Sequence, residues 1–311
     1  MAIIFLQSVY TCAGQSEIED IDYENNMVYV GIWLNNIYSY EYTAGDYTID
    51  LFLYFFWVDP NIKTIDWILT NGYTVNPATT NLESSNLTSE VKYEIYRVTG
   101  VFSTSPDAKN YPFDSIKLGV GVELLTHEYD IDLAWLENQT GLDPRFKNAG
   151  WVTTNLELSS TTHSYPLGVE LPRAEMVVTQ QRQLWLYSFQ DIIPPMIFAI
   201  VSAFSFFFKL RDATAVGLRL GLNTSMLVTT LLFYFTVNAG VPPSSTITLY
   251  DMFIFSVMIF IVMNLVVTIT GYVQFFHFKN ELRARTTNRW GFIPSLVVPS
   301  VFFLLMYILR G

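Results

Sequence analysis

The sequence predicts an all-β sandwich followed by four membrane-spanning helices, and three observations carry that reading. Charge divides along the chain: residues 1–183 hold nine Lys and Arg against 24 Asp and Glu, whereas residues 184–311 hold eight against four. The first stretch alternates short β-branched and aromatic runs with Gly, Pro, Asn and Asp turn signals. The second contains four apolar runs, each near the ~20 residues a helix needs to cross a bilayer. With 51% hydrophobic residues and a mean hydropathy of +0.30, the 311-residue chain is too apolar for an ordinary soluble enzyme. An acidic surface repels nucleic acid and attracts cations, divalent and permeant ions among them.

Taken in order, Met1–Ala13 is mildly apolar with no basic residue before it, and reads as a poor leader; a cut or shortened one is expected, because the acidic half must leave the cytoplasm. From Met27, Val28, Val30, Ile32, Leu34 and Ile37 nearly alternate with polar or small neighbours, and Tyr47–Val58 is a second strand run. Gly45-Asp46, Asp59-Pro60-Asn61, Asn71-Gly72 and Ser105-Pro106-Asp107 are turns. Further strands are expected over 91–102, 116–125, 151–160 and 175–184. Many short strands without an amphipathic helix make residues 1–183 an immunoglobulin-like sandwich, large enough to bury its own core. Asn86-Leu-Thr88 and Asn138-Gln-Thr140 match a glycosylation triplet that is frequent by chance.

Catalytic constellations are missing from the sequence. It has no Gly-rich phosphate loop, no G-x-S-x-G elbow and no H-E-x-x-H. The single Cys12 forms no intrachain disulfide, and His127, His163 and His277 lack metal-ligand spacing. Asp130 and Asp132 read as a solvated or calcium-attracting surface, not an acid/base pair. No enzyme activity, cofactor or structural metal is expected.

The membrane half, 184–311, divides into spans at about 184–208, 212–239, 250–276 and 290–309. Lys209 and Arg211 follow the first span, and Lys279, Arg283, Arg285 and Arg289 precede the fourth. The positive-inside rule puts both loops in the cytoplasm, and the sandwich and C-terminus outside an inner (plasma) membrane. Along the second span Gly221, Ser225, Val228, Leu232, Phe235 and Ala239 share one helical stripe, small and polar at one end and bulky and apolar at the other. That grading suits a pore with a dewettable constriction better than it suits lipid. Arg219 lies near the cytoplasmic end, where a guanidinium can snorkel or face a water-filled mouth. Four helices leave no room for a pore within one subunit, whereas a ring of copies does. The rival reading is a membrane-anchored sandwich that binds or senses a partner and never conducts.

Several motifs in this order resemble one family, the pentameric ligand-gated ion channels, specifically prokaryotic homologues of the Cys-loop receptors. Tyr111-Pro112-Phe113-Asp114 is similar to that family's aromatic-Pro-Phe-Asp loop, and Trp57-Val58-Asp59 to its W-x-D. Arg182, twelve residues before Pro194, resembles the arginine that ends the last strand. Arg219-Leu-Gly-Leu resembles the opening of the pore helix, and Pro242 stands where that helix ends. Thr104 and Leu118 stand where the eponymous cysteines would be, so the loop is expected to be held by packing alone. About a dozen residues connect the third and fourth spans, and Gly217-Leu218 occupies the place where cation-selective members often carry glutamate.

The resemblance implies a homopentamer in membrane lipid, opened by a small amine-like agonist or by protons and passing ions, here cations because of the acidic vestibule. It implies a ligand site between subunits: Phe52 and Tyr54 on the strand before W-x-D, Glu123 and Leu125 after the Y-P-F-D loop, and Tyr165 on the capping hairpin. Leu125 replaces a usual aromatic, and Val75 precedes Pro77 where a Trp is usual. Glu123 is the expected partner of an amine. Tyr111, Pro112, Phe113, Asp114 and Arg182 would press on residues 241–245, Pro242 included, tilting the second helix until the rings at Val228, Leu232 and Phe235 wet.

Overall fold

The computed structural model describes residues 24, 26–79, 91–125, 131–183, 189–208, 212–244 and 246–309. Met1–Ala13, Cys12, Asn86, His127, Asp130, Lys209, Arg211 and Ser245 lie outside the described residues. Contacts group the chain into two units, one ending at Pro106 and resuming over Ile116–Gln181, the other made of Asp107–Ser115 and the chain from Arg182 onward. The Y-P-F-D loop therefore groups with the helices.

The first unit has two sheets, as the strand pattern predicts. Its strands are β1 (Met27–Glu41), β2 (Asp46–Trp57), β3 (Trp67–Leu69), β4 (Gly72–Thr79), β5 (Lys92–Ser103), β6 (Ser115–Leu124), β7 (Asp132–Trp135), β8 (Gly141–Leu142), β9 (Trp151–Ser164) and β10 (Glu170–Arg182). One sheet runs β4-β5-β2-β1-β7 with β8 also paired to β1; the other runs β3-β6-β10-β9. Alternation sets their inner faces. Ile49, Leu51, Leu53, Phe55 and Trp57 of β2 meet Ile116, Leu118, Val120, Val122 and Leu124 of β6 and Ala174, Met176 and Val178 of β10 in one core. Trp57, the first residue of W-x-D, is buried with its indole N–H donating to the Ile62 carbonyl at 3.1 Å.

Four of these strands, β3, β4, β7 and β8, are not among those read from the sequence. Three of them have only two to four residues, and β4 carries Pro77, which argues against a strand except at an edge. β4 is an edge strand, pairing only with β5. Asn71-Gly72 turns the chain from one sheet to the other, and the Asn71 amide pins that crossing by donating to the Gly119 carbonyl at 2.7 Å and the Tyr47 hydroxyl at 3.1 Å. Burial pushes the Tyr47 phenol well above its ordinary pKa, so it stays a donor to Gly119. At the β1–β2 turn Gly45 has φ +77°, and a Cβ there would come within 2.1 Å of the Thr104 carbonyl oxygen. Gly45→Ala should therefore cost on the order of 1–3 kcal/mol, read as a lower thermal midpoint; an unchanged midpoint would show that the turn relaxes.

The second unit holds α1 (Phe189–Phe204), α2 (Ala213–Asn238), α3 (Leu249–Tyr272), α4 (Glu281–Trp290) and α5 (Phe292–Leu309). Among the described residues, four helical stretches are long and apolar enough to cross a membrane: Phe189–Phe207, Ala213–Asn238, Leu249–His277 and Glu281–Leu305. Asp212 caps α2 by accepting from Thr214 N–H, and Thr248 with Asp251 forms a reciprocal capping box on α3. The third-to-fourth connection is shorter than the sequence suggested. Asn280 caps α4 by accepting from Arg283 N–H at 3.0 Å, and Glu281 pairs with Arg285 one turn on, so the basic stretch is helix and not loop. A buried polar node ties three helices together: Ser202 of α1 donates to Asn223 of α2 at 2.6 Å, and Asn264 of α3 donates to Ser202 at 2.8 Å. Such bonds are favourable where no water competes.

Candidate pore lining, coupling loop and ligand pocket

Helix α2 has two faces of opposite character. Arg219, Asn223 and Thr230 are fully buried on one, whereas Gly221, Ser225, Val228, Leu232, Phe235 and Ala239 are all exposed on the other. The six residues the sequence singled out thus form one uncovered stripe. Leu232 and Phe235 are 61% and 59% exposed, leaving large apolar side chains mostly uncovered in a single chain. A Cβ at Gly217 or Gly221 would meet nothing within 4 Å, so the small end of the stripe is open space.

Arg219 corrects the sequence expectation. It neither snorkels nor faces this stripe: it is 0% exposed, donating from Nη1 to Asn288 Oδ1 of α4 at 2.7 Å and lying 5.1 Å from the centroid of the Phe206 ring. Its phase on the helix, two residues before Gly221, turns it onto the buried face.

The Y-P-F-D loop is held by hydrogen bonds, not by packing alone as expected. Thr104 Oγ1, standing where a cysteine would be, donates to the Lys117 carbonyl at 2.8 Å. Within the second unit, Leu249 N–H donates to the Lys109 carbonyl and Tyr250 N–H to the Tyr111 carbonyl, both at 3.1 Å, fixing the loop to the start of α3. The Tyr111 hydroxyl donates to Asp191 of α1, and its ring meets Tyr250 edge-on at 5.7 Å. Burial, then the Asp191 carboxylate, push the Tyr111 phenol far above its ordinary pKa. Asp114 is fully buried and bonded twice to Arg182, Nε to Oδ1 at 2.8 Å and Nη2 to Oδ2 at 3.3 Å. Arg182 also lies over the Tyr111 ring, 5.0 Å from its centroid. Pro112 is buried, Phe113 is half exposed and Pro242 is buried just past α2. The hydrogen bonds run to the ends of α1 and α3, a route the sequence reading, centred on residues 241–245, did not anticipate.

Thr104→Val, which keeps shape and removes the hydroxyl, should cost about 1 kcal/mol. A variant with wild-type stability would assign loop closure to the other bonds.

Of the five candidate ligand residues, the structure brings Glu123 and Tyr165 together. Glu123 sits on β6 and Tyr165 just before a 3-10 turn (Pro166–Gly168) between β9 and β10; the Tyr165 hydroxyl donates to Glu123 Oε2 at 2.7 Å. Arg173 of β10 supplies the other contact, with Nε and Nη2 at 3.1 and 2.9 Å from Oε1. The adjoining carboxylate pushes the Tyr165 phenol above its usual pKa, and the His163 ring meets Tyr165 edge-on at 4.6 Å. Leu125 is partly exposed beyond the end of β6, its N–H donating to the Asp66 carbonyl at 2.9 Å.

Phe52 and Tyr54 lie on the other sheet, projecting from the face of β2 opposite the core with ring centroids 6.3 Å apart. Arg97, register partner of Phe52 on β5, lies 5.9 Å from the Phe52 centroid and bonds Asp50 at 3.0 and 2.8 Å. Sequence reasoning missed Arg173, Arg97 and Asp50. The signal was strand phase: Arg173 alternates with inward Ala174 and Met176 as Glu123 does with Val122 and Leu124, but pairing them requires knowing that β6 and β10 are neighbours.

Hydrogen bonds from Arg97 hold the Asp50 carboxyl below the usual carboxylate range. A carboxyl whose folded-state pKa lies below its unfolded value of ~3.9 lends stability that is complete above that pH and is lost as pH falls through the folded value. The stability gap between wild type and Asp50→Asn should therefore close as pH drops from 7 to 3. A constant gap in thermal melts would mean that the ionised pair contributes nothing.

No protein-family model matches the chain. Among curated proteins, it is 26% identical to ligand-gated ion channel 50 of Caenorhabditis elegans over 254 residues, 72% of this chain and 50% of that protein. It is 27% identical to a γ-aminobutyric acid receptor subunit beta of Lymnaea stagnalis over 143 residues, 43% of this chain and 27% of that protein. It is 23% identical to the subunit of the same name in C. elegans over 220 residues, 60% of this chain and 38% of that protein. The chain thus spans half or less of the length of these relatives.

Proposed function

We propose that this chain, a distant homologue of ligand-gated ion channel and γ-aminobutyric acid receptor subunits, is itself the subunit of a pentameric ligand-gated channel. Five copies surround a pore lined by Gly221, Ser225, Val228, Leu232, Phe235 and Ala239. A small ligand or a proton acting on the sandwich opens it, and the Y-P-F-D loop with Arg182 carries the change to the helices. The single observation that supports this best is the two-faced burial of α2, with Arg219, Asn223 and Thr230 packed inward and Val228, Leu232 and Phe235 uncovered. A solitary membrane helix facing lipid has no reason to grade its free face from Gly and Ser to Leu and Phe, whereas a pore needs a wide polar end and a constriction that dewets. Phe52 and Tyr54 lie on a different sheet from Glu123, which fits a site completed by the neighbouring copy.

The acidic outer half favours cations at the entrance. Reversal potentials in diluted NaCl that follow the sodium gradient support that selectivity, and potentials that follow chloride overturn it. The decisive test of the channel reading joins a mass measurement in detergent with current recording from reconstituted vesicles under amines, amino acids and pH steps. Ring-sized particles that conduct support the channel; a 35.7 kDa monomer without current returns the reading to an anchored binding protein. Ser225→Cys and Val228→Cys should react with an aqueous thiol reagent and block that current.

A further inference from the structure

Asp191 is the only charged residue of α1 and sits in its first turn. Its side chain is partly exposed, so a proton can reach it from water. The hydrogen bond it makes is with the Y-P-F-D loop, the Tyr111 hydroxyl donating to Oδ2. Among the described residues Asp191 forms no ion pair, whereas the neighbouring acid Asp114 is bonded twice by Arg182. A proton taken up at Asp114 must therefore break an ion pair, but one taken up at Asp191 deprives only a phenol of its charged acceptor.

The surroundings of this bond are all within the helical unit. Arg182 lies over the Tyr111 ring at 5.0 Å, and its charge also reaches Asp191. Tyr250 of α3 meets the same ring edge-on at 5.7 Å, and Asp251 of α3 and Tyr234 of α2 are the further titratable groups around Tyr250. Tyr111 is thus tied at two ends. Its hydroxyl goes to α1, and its carbonyl accepts from Tyr250 N–H at 3.1 Å, as the Lys109 carbonyl does from Leu249 N–H. Those two N–H groups open α3 and would otherwise be orphan donors.

We infer that Asp191 is a positioning residue that works as a proton-operated latch: ionised, it holds Tyr111 against the start of α1, and neutral, it lets that tyrosine go. A hydrogen bond to an ionised acceptor is about twice as strong as one to a neutral acceptor, and the N-terminus of α1 favours the negative form of a first-turn acid. Acidification then loosens the loop from α1 at a place apart from the ligand pocket. The latch belongs to a single chain; only its effect on current rests on the channel reading.

The test follows hydrogen exchange of the full chain in detergent between pH 8 and pH 4. Protection is read at the amides of Leu249 and Tyr250, after correction for the intrinsic pH dependence of exchange. In wild type it should fall roughly fivefold on acidification, the difference between a hydrogen bond to a charged acceptor and one to a neutral acceptor. Asp191→Asn imitates the neutral acid and should show the lowered protection already at pH 8, with no further step. Tyr111→Phe should abolish the step by removing the donor, and Asp191→Glu should keep one by restoring a carboxylate. Wild-type protection that does not change with pH, or a full step retained in Asp191→Asn or in Tyr111→Phe, would overturn the latch. A step that depends on Asp191 in a chain that never conducts leaves the latch standing and overturns the channel reading instead. A pH-dependent current without the step overturns the latch and leaves the channel reading intact.

Discussion

Phe235→Ala is expected to conduct at rest. The side chain is 59% exposed and contributes little to the fold of one subunit, so the variant should express and melt like wild type. In a ring of five, however, the same substitution acts five times on one equilibrium. If each phenyl ring stabilises the dry, closed constriction by only ~0.5 kcal/mol, five contribute ~2.5 kcal/mol, close to two decades in the open-to-closed ratio. Vesicles carrying the variant should leak without ligand, and responses should begin at lower ligand concentration. Leu232→Ala, one turn deeper, should behave similarly. Wild-type resting currents in both variants would remove these residues from the gate.

Asp114→Ala should be the most damaging single change in the Y-P-F-D loop. It removes the carboxylate that bonds Arg182, 13% exposed, and breaking a buried pair costs about 3–5 kcal/mol. Little assembled protein is expected. The informative partner is Asp114→Ala with Arg182→Leu, which removes both charges and should recover much of the lost stability. If the double variant assembles but no longer responds to ligand, the pair transmits; if it responds normally, the pair is structural only. A single Asp114→Ala variant as stable as wild type would mean that Arg182 finds water or another acid.

The architecture was legible because its signals are periodic and long. The β2 run and the four apolar stretches announce a sandwich and four helices, and the α2 stripe follows from helical spacing alone. What escaped the sequence depends on proximity between distant segments. Arg173 and Glu123 are fifty residues apart and meet only because β10 lies beside β6. The Leu249 and Tyr250 contacts to the coupling loop are backbone hydrogen bonds, which no side-chain pattern reports. Membrane depth alone would put Arg219 at a water-filled mouth, but helical phase turns it onto the buried face. Asn223, four positions on, shares its face and is buried with it.

The buried Asn223 node has a mechanical consequence. Arg219, Asn223 and Thr230 are the fully buried polar side chains of α2, and none lies beyond Thr230 among the described residues. Towards the other end, Tyr234 meets Tyr250 and Phe255 through ring contacts, which tolerate sliding better than hydrogen bonds do. A helix pinned near Asn223 cannot spin about its axis without tearing Asn223 from Ser202 and Ser205, but it can swing. Phe235 lies twelve residues further along, about 18 Å at 1.5 Å per residue. A swing of ~5° about that pin would carry the ring roughly 1.5 Å sideways while Gly221, beside the pivot, stays nearly still. In the proposed channel the helix would then be a lever with its fulcrum low, a small push at its far end becoming the whole stroke of the gate.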